Sequence, residues 1–304
     1  MNLSHLKQFL AVVEFGSFSE AALEQNLSQA AISYAVAELE KELGARLFDR
    51  GRFGARVTEI GNKVALHARA ILKSEDAIFQ EVCKNKADIV ATLRIASFRS
   101  AAGRLLPKVL LALRESYPNI SVQLIEVEVL DAQDRTKEQL LVQHIADIAF
   151  LENNVFDNRL LVWNLVNDPF MAVLPNDDCR EIMPWEDLQN ENFIFSECIF
   201  CSEHLNTQLA SLSINVEPSF RVKASSTILR MVSQGLGMAV MAKLAIDELP
   251  ENVKVVAMDS LLERKISIAI APENLKIPAI RVFLSLLKDA YPNSEIPSLN
   301  IKQA

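Results

Sequence analysis

One stretch near the start of the chain restricts its fold more than any other, because residues 17–42 read as a short helix, a tight turn and a longer helix. Ser17 or Ser19 can cap the first helix and Ser28 can cap the second, since serine hydroxyls accept hydrogen bonds from free backbone amides. The second helix opens on Gln29 and continues with small side chains. A helix that begins in this way can enter the major groove of a DNA duplex.

The flanking patterns complete a small three-helix unit. Residues 3–15 carry apolar side chains at helical spacing, and Gly16 is placed to end that helix in a left-handed conformation. Leu47 and Phe48 predict a short buried strand, and Val57 predicts the second strand of a hairpin. Arginines cluster on this hairpin and on its approach, at Arg46, Arg50, Arg52 and Arg56. A hairpin wing with arginines suits contact with phosphates and with the minor groove.

These motifs resemble the N-terminal signature of the LysR-type transcriptional regulators. The residues that carry the match are 9–13, 16–22, 27–33, 39–44, 47–50 and 58–61. The resemblance implies an α/β protein with an N-terminal winged helix-turn-helix, a long linker helix and a two-lobed α/β effector domain of the periplasmic-binding type. It also implies that a homodimer or homotetramer binds double-stranded promoter DNA, with a small-molecule effector in the cleft between the lobes and RNA polymerase as a further partner.

The residues expected to contact DNA lie at the helix caps, at the start of the second helix and on the wing: Ser17, Ser19, Gln29, Ser33, Tyr34, Arg50, Arg52 and Arg56. Glutamine pairs bidentately with adenine, serine reads either partner of a base pair, and tyrosine reaches a phosphate or a thymine methyl group. Two alternatives stay open. The serines can act only as helix caps, and the arginines can be solvated surface charge.

Charge is the main objection to a DNA-binding role. The net charge is −8, and residues 1–60 hold six cationic and eight anionic side chains. Four of those six cations, however, fall between Arg46 and Arg56, whereas Glu38, Glu40 and Glu42 come late in the second helix, away from its start. We therefore expect binding that is specific, dimeric and salt-sensitive rather than promiscuous.

A heptad-like stripe follows the wing and predicts one helix from Thr58, its cap, to about residue 87. Val64, Ile71 and Ile78 recur every seven residues in this stripe. The helix can pack on its own chain or on the same helix of a second subunit. The lack of a nearby apolar segment favours the second subunit, and the resemblance implies the same dimer.

From about residue 92 the pattern alternates strands and helices, which indicates a mostly parallel sheet flanked by helices. Strands are predicted at 93–96, 122–126, 145–150, 160–165, 170–174, 193–196, 218–222, 237–241 and 266–270, and helices at 103–117, 133–143, 203–212, 227–234 and 279–290. Two lobes joined by two crossing strands would form a cleft that suits a small ligand. Residues from 294 onward are expected to be a loose tail.

These patterns divide the chain into three parts. We expect the DNA-binding domain at residues 1–58, the linker helix at 59–89 and the effector domain at 90–304, with lobe I at 90–160 and 266–304 and lobe II at 161–265. Effector-binding candidates lie near strand ends where helices begin: Ser97, Arg99, Ser100, Ser196, Cys198 and Thr227. Backbone amides and hydroxyls at such places suit an anionic metabolite. Arg99 can reinforce that site or pair with a surface carboxylate.

The remaining candidates for chemistry are cysteines. Cys198 and Cys201 can form a redox pair, or can join His204 and Cys179 around a metal. A single Cys-x-x-Cys without a second half favours two ordinary thiols, so we expect no metal and no cofactor.

Other function classes find little support in the sequence. No signal peptide and no apolar run of membrane-spanning length are predicted, so a cytoplasmic protein is expected. An enzyme on the same two-lobed fold is the main rival, but the sequence has no glycine-rich phosphate loop, no H-E-x-x-H and no G-x-S-x-G. A pure ligand-binding protein would leave the first sixty residues without a use. We therefore expect a transcriptional regulator and not an enzyme.

Overall fold

The N-terminal sixty residues form a three-helix head with a two-stranded wing. Its elements are α1 (Leu3–Phe15), α2 (Phe18–Glu24), α3 (Gln29–Leu43), β1 (Phe48–Gly51) and β2 (Gly54–Val57). The protein is seen here in a computed structural model, which describes residues 1–51, 54–83, 88–128, 135–152, 157–197, 199–246 and 248–299. The winged helix-turn-helix predicted from the sequence is confirmed.

The ends of the head's helices are fixed by the residues that the sequence predicted. Gly16 ends α1 with a φ of 64°, and the Ser17 hydroxyl accepts a hydrogen bond from the amide of Glu20. Asn26 takes a φ of 53° in the turn, a conformation that asparagine tolerates better than most residues. Ser28 caps α3 by accepting from the amide of Ala31. Local capping therefore sets where α3 begins and which side chains it offers first.

Aromatic side chains close the core of the head under the wing. The rings of Phe9 and Phe18 each meet the ring of Phe48 edge-on, with centroids 5.5 Å apart. Ile32 and Leu39 of α3 are fully buried in the same core. This packing holds α3 against α1 through one face and leaves its opposite face in solvent.

The linker helix α4 (Glu59–Glu81) begins at Thr58, whose hydroxyl accepts from the amide of Gly61. It ends earlier than the predicted residue 87, since Val82 closes the helix. The expectation that its stripe lacks an apolar partner in its own chain is wrong for the first half, where Ala65 and Ala68 are buried in the core of the head. At the C-terminal end of the helix the apolar stripe is exposed to solvent. Ile78, Phe79 and Val82 are exposed by 66%, 66% and 71%.

Polar contacts fix the linker helix on lobe I. The ammonium group of Lys73 lies 2.5 Å from the carboxylate of Asp147, and both side chains are largely buried. Nearer the end of the helix, the side-chain oxygen of Gln80 accepts a hydrogen bond from the amide of Ala279 at 3.1 Å. The linker helix is therefore joined to the effector domain at two points along its length.

The effector domain alternates strands and helices as predicted. Its strands are β3 (Ala91–Ser97), β4 (Ile120–Glu126), β5 (Ile148–Glu152), β6 (Leu161–Pro175), β7 (Ile182–Met183), β8 (Ile194–Ser196), β9 (Phe220–Val222), β10 (Ala239–Ala242), β11 (Val253–Met258) and β12 (Glu263–Ile270). Its helices are α5 (Arg99–Arg104), α6 (Leu106–Ser116), α7 (Lys137–Val142), α8 (Ile199–Ser211), α9 (Ser225–Ser233) and α10 (Pro278–Ala290). Short 3-10 turns lie at Trp185–Asn190, Lys243–Ala245 and Pro272–Lys276.

The two lobes share β6 and β12. The strand order is β4-β3-β5-β12-β6-β11-β7, and β10 also pairs with β6. The sheet is mixed rather than mostly parallel, because β3 is parallel to β4 and β5 whereas β6 and β12 run antiparallel to each other. β6 is one strand where two were predicted. Its Leu165 lies in the core of lobe I and its Phe170 in that of lobe II, so the lobes divide within β6.

Some predicted elements need correction. The helix predicted at 103–117 is broken at Leu105, because Pro107 has no amide hydrogen to continue α5 into α6. The strands β7 and β11 were not predicted. The loose tail is wrong up to residue 299, since Ile296 is buried in the core of lobe I and the amide of Glu295 donates to the carbonyl of Asn164.

Candidate functional site

The exposed face of the head is the start of α3. Gln29 is exposed, Tyr34 is exposed by 65%, and Ser33 is half-buried between them. The hydroxyl of Ser17 is engaged as a cap, accepting from the amide of Glu20 at 3.4 Å, while Ser19, two residues later, is exposed. Polar side chains are therefore accessible to solvent at the N-terminal end of α3. In helix-turn-helix proteins this end of the recognition helix reads base edges.

The wing stands beside this face, with fewer of its arginines described. Arg56 of β2 is exposed and lies opposite Asp49 of β1. Arg50 belongs to β1 by its backbone pairing with Ala55, but its side chain and all of Arg52 lie outside the described residues. DNA contact by the wing stays a prediction for all three arginines.

The acidic residues late in α3 have partners within the head. One carboxylate oxygen of Glu40 accepts from the amides of Leu47 and Phe48, at 2.7 and 3.2 Å, and so holds the start of the wing. The carboxylate of Glu42 lies 2.5 Å from the N-terminal amino group of Met1. These anions are engaged at the end of α3 that is away from Gln29, which weakens the objection raised by the head's net charge.

A cluster of buried charges lies where the two lobes meet. The guanidinium of Arg264 donates to Asp168 at 2.9 Å, to Glu152 at 2.8 Å and to the hydroxyl of Ser100 at 2.9 Å. The ammonium group of Lys137 is 3.8 Å from Glu152. Arg264, Glu152, Asp168 and Lys137 each expose 4% of the side chain or less. Charges buried to this degree are held only when they are paired and hydrogen-bonded.

One aromatic ring and one cross-lobe bond complete this region. The ring of Phe98, which precedes α5, lies 5.2 Å from the guanidinium carbon of Arg264 and 5.5 Å from the ammonium nitrogen of Lys137. Arg104 of lobe I donates to the carbonyl of Ile246 in lobe II. The lobes are thus in contact on one side of the cleft.

Of the predicted effector residues that the structure describes, only Ser100 is seen to contact the charge cluster. Ser100 lies in the charge cluster, whereas the hydroxyl of Ser97 is buried and donates to the carbonyl of Phe98. Arg99 is exposed and faces the surface carboxylate of Glu128, 3.7 Å away. Thr227 is exposed in the first turn of α9, and its helix has no side-chain cap. Ser196 ends β8 as predicted.

The charge cluster itself was missed by sequence reasoning. Its signal was present, since Glu152 ends a fully buried strand, Asp168 interrupts an apolar strand and Lys137 opens a helix. The pairing of Arg264 with residues about a hundred positions earlier has no local signature.

The cysteine hypothesis is only partly described. Cys198 and the side chain of Cys201 lie outside the described residues. Cys83 and Cys179 are free thiols, and His204 stacks on Phe170 with ring centroids 6.2 Å apart. Within the described ranges no group of three histidine, cysteine or acidic side chains is placed to hold a metal. Nor is any described helix long and apolar enough to span a bilayer.

Comparison with known protein families accounts for both halves of the chain. Residues 3–62 match the bacterial regulatory helix-turn-helix family of lysR type, and residues 87–292 match the LysR substrate binding domain. The chain belongs to the LysR family. This LysR-family regulator therefore combines a DNA-binding helix-turn-helix head with an effector-binding domain, as the sequence predicted.

Individual relatives agree over nearly the full length. This LysR-family chain is 36% identical over 297 residues to the probable HTH-type transcriptional regulator LrrA of Synechococcus elongatus, covering 96% of the chain and 98% of the relative. It is 25% identical to the uncharacterized regulator YvbU of Bacillus subtilis, covering 96% and 99%.

Solved structures share the fold. A full-length OxyR from Pseudomonas aeruginosa matches with a TM-score of 0.72 at 20% identity, covering 97% of this chain and 96% of that one. Full-length CbnR in complex with its target DNA matches with a TM-score of 0.56 at 19% identity, covering 96% and 100%.

Proposed function

We propose that this LysR-family chain binds promoter DNA as a homodimer or homotetramer by placing the start of α3 in the major groove. It acts as a regulator and not as an enzyme, and RNA polymerase is its downstream partner at the promoter. Bacterial promoters lie in the cytoplasm, which is where this function would take place. The observation that carries the proposal is that exposed Gln29 and Tyr34, with half-buried Ser33, lie at the start of a helix whose other face is packed in the core of the head.

Different elements of the head supply the contacts to bases and the contacts to phosphates. Gln29 and Ser33 carry the amide and hydroxyl groups that read base edges, and Tyr34 reaches the backbone or a thymine methyl group. Ser17 and Ser19 lie at and just after the N-terminus of α2, where a phosphate is favoured. Arg56, with Arg50 and Arg52, supplies cations on the wing. The relative CbnR has been solved with its target DNA, which supports the same use of this head.

The effector is proposed to bind between the lobes, next to the charge cluster. Ser100, Arg99 and Thr227 are the candidate contacts, together with Ser196 and Cys198. An anionic metabolite is the proposed ligand class, because hydroxyl groups and the exposed guanidinium of Arg99 can donate hydrogen bonds to it. A ligand at this place touches both lobes and can bias how they close on each other, which is how a small molecule would alter DNA binding.

The test is a comparison of two variants that add the same charge. A binding duplex is first selected with the wild-type full chain from a pool of random duplexes. Ser33→Arg places a long cation in the reading face, whereas Ser211→Arg places it at the exposed end of α8 in lobe II. In an electrophoretic mobility shift, Ser33→Arg is expected to weaken binding to the selected duplex about tenfold or more, since one base contact contributes about 1–3 kcal/mol.

Ser211→Arg is expected to bind as the wild type does. If Ser33→Arg binds the selected duplex with unchanged affinity and an unchanged base preference, α3 does not read the groove and the proposal is wrong.

A further inference from the structure

A cavity lies at the junction of three parts of the molecule. It has a volume of about 1000 Å³, and its walls come from α1 of the head, the linker helix α4, and the strands β3 and β4 of lobe I with the residues around α7. We call it the junction cavity. Its walls belong to elements that reach the DNA-binding head on one side and the effector domain on the other.

Three arginines reach the lobe I end of the junction cavity from three different elements. Arg69 comes from α4, Arg94 from β3 and Arg135 from the segment before α7. Neither Arg69 nor Arg94 forms an ion pair with any residue that the structure describes. This clustering is notable in a chain whose net charge is −8.

The lysines of the junction cavity are already engaged, unlike Arg69 and Arg94. The lysines and their carboxylate partners are Lys7 with Glu75 at 3.0 Å, Lys63 with Glu59 at 2.7 Å and Lys73 with Asp147 at 2.5 Å. The carboxylates that line the cavity belong to the head and the linker helix: Glu14, Glu24, Glu59 and Asp76. We call the end of the cavity that Arg69, Arg94 and Arg135 line its positive end; the acidic groups that act on it are Glu14, through Arg69, and Asp76, through Arg94.

The arginines are close enough to repel one another. Burial and the positive charge of Arg135 lower the pKa of Arg69, and Arg94 adds to this, while Glu14 alone acts in the opposite direction. A half-buried guanidinium in this setting gains from any anion that enters, because the anion replaces repulsion by attraction where water screens it least.

We propose that the positive end of the junction cavity binds a small oxyanion with two or more negative charges, with Arg69, Arg94 and Arg135 as its donors. Guanidinium groups bind phosphate and carboxylate oxygens in pairs, and three of them can enclose one such group. Gln123 and Gln143 line the same end and add amide donors. The lining of this site shares no residue with the charge cluster between the lobes, which holds Arg264 and Lys137.

An occupant would bridge the linker helix and lobe I. Arg69 belongs to the linker helix and Arg94 to the sheet of lobe I, so an anion held by both adds a third tie to the contacts of Lys73 and Gln80 and biases the angle between them. On the proposed DNA-binding function, this angle sets how the two heads of a dimer are presented to DNA, and the anion becomes a second input beside the effector.

The test uses the full-length chain, without DNA, and inorganic diphosphate as the probe in titration calorimetry. Arg94→Gln removes an exposed donor of the site, and Arg69→Gln removes the half-buried one. Arg114→Gln is the matched control, since Arg114 is an exposed arginine on α6 of the same lobe and does not line the cavity. We expect saturable binding by the wild type and the control, weakened about tenfold or more in both cavity variants.

Thermal unfolding of each variant shows whether it is folded. If Arg69→Gln does not fold, Arg94→Gln alone still tests the proposal. Absence of binding by the wild type at millimolar diphosphate, or equal binding by all variants, would overturn the proposal. So would an Arg94→Gln variant that binds diphosphate normally but loses affinity for DNA, because the arginines would then serve DNA phosphates. Since the calorimetry contains no DNA, its failure is distinct from a failure of the DNA-binding proposal.

Discussion

The guanidinium of Arg264 donates to the carboxylate of Asp168 over 2.9 Å, and both side chains are almost fully buried. The two residues lie opposite each other on β12 and β6, the strands that both lobes share. The second carboxylate oxygen of Asp168 accepts from the amide of Leu244 in lobe II, while Arg264 also reaches Glu152 in lobe I. This pair therefore ties the lobes together at the point where their sheets meet.

Removing one partner of this pair should be costly. Asp168→Ala leaves Arg264 with one carboxylate fewer at a buried position, which we expect to lower the free energy of unfolding by about 3–5 kcal/mol. Glu128→Gln is the control, because it breaks the exposed ion pair with Arg99 and should cost at most about 1 kcal/mol. Urea unfolding followed by circular dichroism measures both. Similar losses of unfolding free energy in the two variants would show that the buried pair stabilises the fold no more than an exposed ion pair does.

His144 should make stability depend on pH. Burial, then the positive charge of Lys73, lowers the pKa of His144 below its ordinary value of 6.5, while Glu273 and Asp147 act in the opposite direction and Arg69 adds to the lowering. The unfolded chain then binds more protons between the two pKa values, so stability falls as the pH is lowered through 6.5.

The matched variant is His144→Asn, because asparagine accepts the left-handed φ of 54° found at this position. The loss of unfolding free energy between about pH 7.5 and about pH 5.5 should be smaller in the variant than in the wild type. An identical pH dependence of the two proteins would contradict the account.

Two glycines should respond in opposite directions to a methyl group. Gly237 has a φ of 148°, and a Cβ atom there would lie 1.9 Å from the carbonyl oxygen of Asn192. Gly237→Ala should therefore destabilise lobe II by about 1–3 kcal/mol from its backbone conformation alone, with the clash adding to this. Gly103→Ala, at an open position in α5, should stabilise by about 0.4–1 kcal/mol. Thermal unfolding of both variants measures the two effects. A stabilising Gly237→Ala would show that the close approach of Gly237 to the carbonyl of Asn192 is wrong.

The exposed apolar residues at the C-terminal end of the linker helix should form the dimer interface. Ile78, Phe79 and Val82 form an apolar surface on its last turn, which a second copy of the helix would cover. Phe79→Glu is expected to shift the chain from dimer to monomer at micromolar concentration, measured by light scattering on a gel-filtration column. Leu261→Glu changes an equally exposed residue in lobe II and should leave the mass unchanged. A dimer that survives Phe79→Glu would place the interface elsewhere.

The head could be predicted almost completely from the sequence, because its signals are local. Gly16, Ser17, Ser28 and Thr58 each act on the three or four residues beside them, and the structure finds all four where the spacing put them. The periodicity of α1 and α3 likewise depends only on neighbours in the chain.

The effector domain could be predicted in outline but not at its cleft. The single long strand β6 was divided in two because its polar stretch at residues 167–169 looks like a turn, whereas in the fold that stretch crosses between the lobes and pairs with β12. Arg264 is buried only because Asp168, Glu152 and Ser100 meet it from three other elements. Such a meeting follows from tertiary packing, which no local pattern records.

The most direct test of the account is whether the start of α3 lies in the major groove. Dimethyl sulfate methylates guanine at N7, which faces that groove, so a helix inserted there protects the guanines it covers. On a duplex selected by the full-length protein, we predict two protected clusters, separated by about one helical turn or a multiple of it. Gln29→Ala should weaken that protection. A saturated complex in which guanines at the major groove stay as reactive as in free DNA would contradict the central claim.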